Sequence, residues 1–194
     1  MITVKKGYIL LTHTGTFLTN LIKCYTKKAY NHASIAFDSE LTEVYSFGRK
    51  YANNPWIGGF VREDLRSELF SRATCAVYSF EMTDVQWKKM KQYIETFEAQ
   101  KERYHYNFLG LFGFLLKRPI HRKNAFFCSQ FVATVLAATD IASFQKPCAL
   151  IAPYDLTEVP GIQLVFQGKL SDYLKHDDEM EKFAFPRPLL PAEM

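Results

Sequence analysis

The sequence contains only four cysteines in 194 residues, and they lie far apart in the chain. No two of them form a Cys-x-x-Cys pair, the spacing typical of zinc sites and redox motifs. So sparse a set also does not resemble the dense disulfide scaffold of a small secreted domain. We therefore expect neither disulfides nor a zinc site, and a reducing compartment. The four positions are Cys24, Cys75, Cys128 and Cys148.

Long hydrophobic runs are absent as well. The apolar stretch Gly7–Leu11 ends at Thr12, which makes it too short for the hydrophobic region of a signal peptide. No run reaches the roughly 20 residues that a membrane-spanning helix needs. The net charge is only +4, and no zinc finger or glycine-rich phosphate loop occurs, so we expect no nucleic-acid binding. These absences predict a soluble, cytoplasmic protein.

Aromatic and aliphatic residues are plentiful. Hydrophobic residues make up 48% of the chain and aromatic residues 15%, including 17 Phe and 11 Tyr. A chain of this length and composition can bury a sizeable core, and no linker divides it. We therefore predict a single domain over residues 1–194. From about Lys175 onward, charges alternate with prolines, which indicates a loosely attached tail over 175–194.

Hydrophobic periodicity predicts a mixture of strands and helices. The predicted strands are Gly7–Leu11, Tyr30–Phe37, Thr42–Phe47, Ala73–Phe80 and Gly161–Gly168. The predicted helices are Thr16–Tyr25, a short one within Arg62–Phe70, Thr83–Lys101 and Asn124–Leu136. Thr83 and Gln86 have the spacing of a capping box, which indicates where the third of these helices begins. Asn53–Phe60 is rich in loop-forming residues and predicts a loop.

The last predicted helix carries a candidate nucleophile. Cys128 falls in its first turn, with Asn124 as the expected N-cap. Unpaired N–H groups and the positive end of the helix dipole favour the thiolate there, and the thiolate is the nucleophilic form of cysteine. The alternative is a buried cysteine with a purely structural role, because cysteine is among the residues most often buried.

A thiol nucleophile needs a base, and histidine suits that role at neutral pH. Of the five histidines, only His32 begins a strand whose return strand could supply an orienting group. If Phe37 pairs with Leu41 across the turn, His32 lies opposite Ser46 on the same face of the hairpin. A register that differs by one residue would instead place Phe47 or Tyr45 opposite His32.

The segment Tyr104–Lys123 joins an apolar stretch to a basic one. One interpretation is a buried segment packed against the Cys128 helix and followed by a solvated basic loop. The other is an interfacial element that makes weak contact with a membrane surface or an apolar substrate. Both remain open from the sequence, and the two glycines within the apolar stretch weaken the second.

Two motifs together resemble a known family. Tyr30–Ala36 (YNHASIA) early in the chain and Phe126–Val132 (FFCSQFV) much later are similar to those of the circularly permuted NlpC-like thiol hydrolases, in particular the YiiX-like branch. The resemblance covers roughly Gly7–Tyr173 and includes the motifs Tyr45–Arg49 and Pro153–Leu156. The order of histidine first and cysteine second, with these flanks, is more specific than either motif alone.

The resemblance implies an α+β fold of permuted papain-like architecture, with an antiparallel sheet flanked by helices. It implies that Cys128 is the nucleophile and His32 the base, and the position matching the family's third catalytic residue is Ser46. A serine departs from the imidazole, carboxylate or amide usual there, and Glu43 and Tyr45 are the candidates if the hairpin register differs. No metal or organic cofactor is implied.

The function implied is that of a cysteine peptidase or amidase, which cleaves an amide or ester bond through an acyl-thioester intermediate. Its partner would be a peptide, amide or acyl-ester substrate. Two alternatives remain: a lipid acyltransferase or thioesterase on the same fold, which Tyr104–Lys123 keeps open, and a catalytically silent binding module.

Overall fold

The computed structural model describes residues 4–14, 28–51, 54–108, 110, 118, 120 and 122–175. Its central element is a six-stranded sheet formed by β1 (Val4–His13), β2 (His32–Ala36), β3 (Val44–Tyr51), β4 (Asn54–Arg62), β5 (Thr74–Thr83) and β8 (Gln163–Lys169). The strand order is β4-β3-β2-β1-β5-β8, and all neighbouring strands are antiparallel. A separate parallel pair joins β6 (His105–Tyr106) to β7 (Ala125–Phe126).

Within the described ranges, two α-helices accompany the sheet, α1 (Asp84–Ala99) and α2 (Cys128–Ala138). Short 3₁₀ helices lie at Glu68–Phe70, Lys101–Arg103, Cys148–Leu150 and Pro153–Glu158. The α+β class predicted from the sequence is therefore confirmed. The predicted strands correspond to β1, β2, β3, β5 and β8. Among the described residues, no helix is both long and apolar enough to cross a membrane.

The start of α1 follows the predicted capping box. The Thr83 hydroxyl accepts a hydrogen bond from the backbone N–H of Gln86 at 3.2 Å, and the Gln86 side-chain oxygen accepts one from the backbone N–H of Thr83 at 2.9 Å. Each bond satisfies a donor that the first helical turn leaves without an intrahelical partner. The sequence signal was sufficient here because both partners lie within one turn.

The loop predicted at Asn53–Phe60 is wrong, because most of this segment forms β4. β4 lies at the edge of the sheet and pairs only with β3 among the described strands. A proline cannot donate to a ladder, but an edge strand has one side without a partner strand and therefore tolerates Pro55. Glycines are tolerated for a different reason: at Gly58 the chain of Tyr106 approaches so closely that a Cβ would lie 2.8 Å from the Tyr106 Cβ.

The hairpin between β2 and β3 forms as predicted, but the expected register is wrong by two residues. The observed pairs are Ile35 with Tyr45 and Ala36 with Val44. Continued along both strands, this register places Ser34, and not His32, opposite Ser46. Because the shift is even, Ser46 stays on the same face as His32.

The turn of this hairpin explains the shift. The carboxylate of Asp38 accepts hydrogen bonds from the backbone N–H groups of Thr42 at 2.7 Å and Glu43 at 2.9 Å. Leu41 adopts a left-handed conformation with φ 54°. The turn therefore takes up more residues than the three that the sequence suggested, since the side chain of Asp38 closes a wider loop.

Helix α2 begins at Cys128, which confirms the predicted position of the thiol in the first turn. The expected N-cap at Asn124 is wrong. Asn124 has a φ of 55° and precedes β7, and the extended residue before the helix is Phe127. The N–H of Phe127 donates to the side-chain oxygen of Gln130 at 3.4 Å. Because Ala125 and Phe126 pair with β6, the helix begins about one turn later in the chain than predicted.

Four further predictions have a partial outcome or none. Within Arg62–Phe70, only Glu68–Phe70 is helical, and it is a 3₁₀ turn. The predicted helix Thr16–Tyr25 and the tail after Lys175 lie outside the described residues, as does much of Tyr104–Lys123.

The sheet buries a different cluster on each face. On the helix face, Phe47 has no exposed surface, and its ring centroid lies 5.1 Å from those of Phe126 and Phe131. The rings of Phe60 and Phe97 complete this aromatic cluster, each 6.0 Å from Phe47. The opposite face buries Leu10, Ala36, Val44, Leu65, Phe70, Leu170 and Leu174. Strand alternation places His32, Ser34 and Ser46 on this opposite face.

Replacing Phe47 by Ala should lower the free energy of unfolding by about 3–5 kcal/mol, because it opens a cavity at the centre of the aromatic cluster. Urea denaturation followed by circular dichroism measures the change. Val85→Ala on α1 is the matched control, since Val85 is 64% exposed and should alter stability little. Equal losses in the two variants would contradict the packing described here.

Candidate active site

The thiol of Cys128 lies at the end of the sheet where β2 begins. Cys128 is 5% exposed, and its Sγ lies 4.0 Å from the backbone oxygen of Asn31, the residue before β2. The first residue of a helix has a backbone N–H without an intrahelical acceptor, and the helix dipole is positive there. The thiol is therefore held where negative charge is favoured.

His32 is the first residue of β2 and connects the thiol to a carboxylate. Its imidazole interacts with the Cys128 side chain closely enough to shift the pKa of both groups. Its Nε2 lies 2.7 Å from Oε1 of Glu63, and the side chains of His32 and Glu63 are only 16% and 6% exposed. Since Nε2 faces Glu63, Nδ1 is the ring nitrogen left for the thiol.

Glu63 follows β4 directly and reaches across β3 to β2. Its backbone N–H donates to the carbonyl of Val44 at 2.8 Å, which continues the pairing with β3 by one residue. On the face away from the helices, its carboxylate also accepts hydrogen bonds from Ser46 Oγ at 2.6 Å and from Ser34 Oγ at 2.7 Å. Cys128, His32 and Glu63 thus form a continuous chain of polar contacts.

These contacts shift the ionisation of all three groups. Burial raises the pKa of the Cys128 thiol, but hydrogen bonding and the positive charge of His32 outweigh burial and bring this pKa below its ordinary value. Burial lowers the pKa of His32, but the charge of Glu63 and the contact with Cys128 outweigh it and raise that pKa to about 10. Burial raises the pKa of Glu63, and His32 with the two serine hydroxyls lowers it overall. The shifts of Cys128 and His32 both favour a thiolate beside an imidazolium.

Tyr106 is a second polar neighbour of the thiol, and the sequence did not indicate it. Burial, followed by the interaction with the nearby Cys128 thiolate, raises the pKa of Tyr106 well above its ordinary value. The phenol therefore keeps its proton and can act as a donor at neutral pH. The β6–β7 pair holds Tyr106 in place, since Tyr106 is in register with Phe126, two residues before Cys128.

The predicted site residues have different outcomes. The structure brings Cys128 and His32 into contact. It places Glu63, where Ser46 was expected, on the ring nitrogen of His32, while Ser46 donates to Glu63. The two substitute candidates lie elsewhere: Glu43 pairs with Lys91, and Tyr45 is buried in the core on the helix face.

Glu63 was missed because the strand before it was predicted to be a loop, and Glu63 itself fell in the segment Arg62–Phe70 that was predicted to contain a short helix. The aromatic and β-branched pairs Trp56–Ile57 and Phe60–Val61 after the hairpin are the signal that could have indicated a third strand at the hairpin's edge. Tyr106 had no such signal, because two residues of parallel pairing are too short to show a period.

No group of three or more His, Cys, Asp or Glu side chains that could hold a metal ion occurs in the part of the chain that the structure describes. Comparison of the chain with protein-family models, with curated proteins and with solved structures found no match.

Cys128 should be the most reactive thiol of the protein, because among the described cysteines it alone is paired with an imidazolium. Burial raises the pKa of Cys75 to about 12 and also raises that of Cys148, so both stay protonated at neutral pH. Alkylation with iodoacetamide at a series of pH values, followed by peptide mass spectrometry, measures the rate at each cysteine. Cys128 should still react rapidly at pH values well below about 8.5, the pKa of a free thiol. Its rate should fall once the pH drops below its own lowered pKa.

His32→Ala should remove this reactivity at neutral pH, whereas His105→Ala, which changes an exposed histidine of β6, should not. Faster labelling of Cys24, Cys75 or Cys148 in the folded protein would contradict the assignment of the nucleophile.

Proposed function

We propose that the protein is a cysteine hydrolase that cleaves an amide or ester bond through an acyl-thioester intermediate. The observation that carries this proposal is the position of His32, whose Nε2 lies 2.7 Å from Glu63 and whose ring interacts with the Cys128 thiol. A nucleophile, a base and a group that orients the base are the elements of a triad. Support also comes from the sequence resemblance to permuted NlpC-like thiol hydrolases, and we propose their permuted papain-like fold for this chain.

The first half of the reaction would form the acyl-enzyme. The Cys128 thiolate attacks the carbonyl carbon of the substrate, and the C=O π electrons move to the oxygen. When the tetrahedral intermediate collapses, the bond to the leaving nitrogen or oxygen breaks, and the imidazolium of His32 gives its proton to the leaving group. Glu63 keeps the imidazole oriented and stabilises its charged form.

The second half would release the acid. The neutral imidazole of His32 takes a proton from water as the oxygen of that water attacks the thioester carbonyl. Collapse of this second intermediate expels the Cys128 thiolate and leaves His32 protonated, so the resting ion pair is restored. No external proton source is required within the cycle.

Two donors beside Sγ would stabilise the negative oxygen of both intermediates. One is the backbone N–H of Cys128 at the helix start, and the other is the neutral phenol of Tyr106. Donors aimed at the position where charge develops are often the largest contribution to such reactions.

Peptides and other amides are the substrate class we favour, in a reducing, cytoplasmic setting. The alternative of lipid acyl transfer depends on Tyr104–Lys123, and most of its apolar part lies outside the described residues. A silent binding module does not require the buried charged groups of Cys128, His32 and Glu63. Burying such charges costs desolvation free energy, and binding alone gives no reason for that cost.

Electrophilic probes with peptide-like and lipid-like recognition groups should separate these functions. Peptide-like probes should label Cys128 faster than matched lipid probes, and mass spectrometry should locate the adduct on this residue. Glu63→Gln keeps the shape of the side chain but removes its charge, so it should lower the acylation rate between about tenfold and about a hundredfold.

Glu43→Gln is the matched control, because this carboxylate directly precedes β3 at the same end of the sheet but pairs with Lys91. It should leave the acylation rate within about twofold of the wild type. Preference for lipid probes would favour the acyltransferase alternative. Absence of labelling by every probe, together with an unreactive Cys128, would favour the silent module.

A further inference from the structure

We propose that Ser34 and Ser46 are positioning residues that fix the Glu63 carboxylate, and through it the tautomer of His32. The inference rests on the proposed hydrolase for its functional meaning and on the hydrogen bonds of the buried carboxylate for its geometry. It also gives Ser46 a role different from that of a group bonded directly to the imidazole.

Three polar side chains converge on this carboxylate. Oε1 of Glu63 lies 2.6 Å from Ser46 Oγ and 2.7 Å from His32 Nε2, and Oε2 lies 2.7 Å from Ser34 Oγ. Ser34 and Ser46 have no exposed surface. Their hydroxyls are therefore unavailable to solvent, and both are used within the site.

The hydrogen bonds to Glu63 determine which nitrogen of the His32 imidazole carries a proton. An ionised carboxylate can only accept hydrogen bonds, so Ser34, Ser46 and Nε2 of His32 must each act as a donor. Nε2 then carries a proton whether the ring is neutral or charged. In the neutral ring, the lone pair is consequently on Nδ1, the nitrogen left for the Cys128 thiol.

The position of Glu63 explains why such holding groups are needed. Glu63 lies just beyond the end of the edge strand β4, and its flexible side chain spans β3 to reach His32 on β2. Ordering this side chain costs rotamer entropy, and hydrogen bonds to fixed partners offset that cost. Ser34 and Ser46 sit on neighbouring strands in directly opposed register positions, so the sheet itself sets the distance between the two hydroxyls.

The titratable groups around the carboxylate are few among the described residues. His32 contacts Glu63 directly, Cys128 contacts the far side of the ring, and Tyr106 contacts Cys128. Loss of a hydrogen bond to Glu63 therefore changes first the protonation of His32 and then the protonation of Cys128. This order of effects separates a positioning role from a contribution to folding stability alone.

Ser34→Ala and Ser46→Ala, alone and combined, test the proposal through the pH profile of Cys128 alkylation by iodoacetamide. When Glu63 loses a hydrogen bond, its carboxylate stabilises the His32 imidazolium less. More of the Cys128 side chains are then protonated thiols. We expect the neutral-pH rate to fall roughly fivefold for each lost hydroxyl. We also expect the alkaline limb, where the imidazolium loses its proton, to move to lower pH. Ser46→Thr keeps a hydroxyl and should restore most of the rate.

Ser79→Ala is the control for loss of a buried hydroxyl from the same sheet, because Ser79 lies on β5 and is 7% exposed. Its profile should match the wild type. In a Glu63→Gln background, the serine substitutions should change the rate by less than about twofold, since no carboxylate charge remains to be held.

Lower melting temperatures with unchanged alkylation profiles would overturn the proposal, as would full serine effects in the Glu63→Gln background. Shifted profiles in a protein that hydrolyses none of the amides or esters tested would support the positioning role while contradicting the proposed function.

Discussion

The structure of the site depends on a carboxylate buried beside a histidine. Removing Glu63 from water is costly unless hydrogen bonds and an opposite charge compensate, and all of its observed partners supply one or both. These partners sit on β2 and β3, while Glu63 itself follows β4. The compensation therefore requires three strands in a single register, and a slip of one residue would turn the serines into the other face.

The site also requires both faces of the sheet at once. Helix α2 packs on the helix face and carries Cys128 at its start, whereas Glu63 and the serines lie on the opposite face. His32 can join them because it is the first residue of β2, at the end of the sheet. The aromatic cluster around Phe47 fixes the distance between α2 and the sheet, so core packing and the geometry of the thiol are linked.

Much of this could be predicted where the determining contacts are local. The capping box at Thr83 and the position of Cys128 in the first turn of a helix followed from spacing within a few residues. The hairpin register did not, because the Asp38 side chain closes a wider turn than the turn composition suggested. Edge strand β4 was hidden for a similar reason: its proline and glycines indicate a loop unless the neighbouring strand is known.

The sequence by itself determined the α+β class, most of the strands, helix α1 and the two residues, Cys128 and His32, that the structure brings together. These depend on periodicity and on residue chemistry, which are local properties. Only the tertiary structure decided that Glu63 contacts His32, that Ser46 contacts Glu63 and that Tyr106 contacts the thiol. Each of these contacts joins residues on different strands or segments, and their distances are set by strand order and register, which no local pattern encodes.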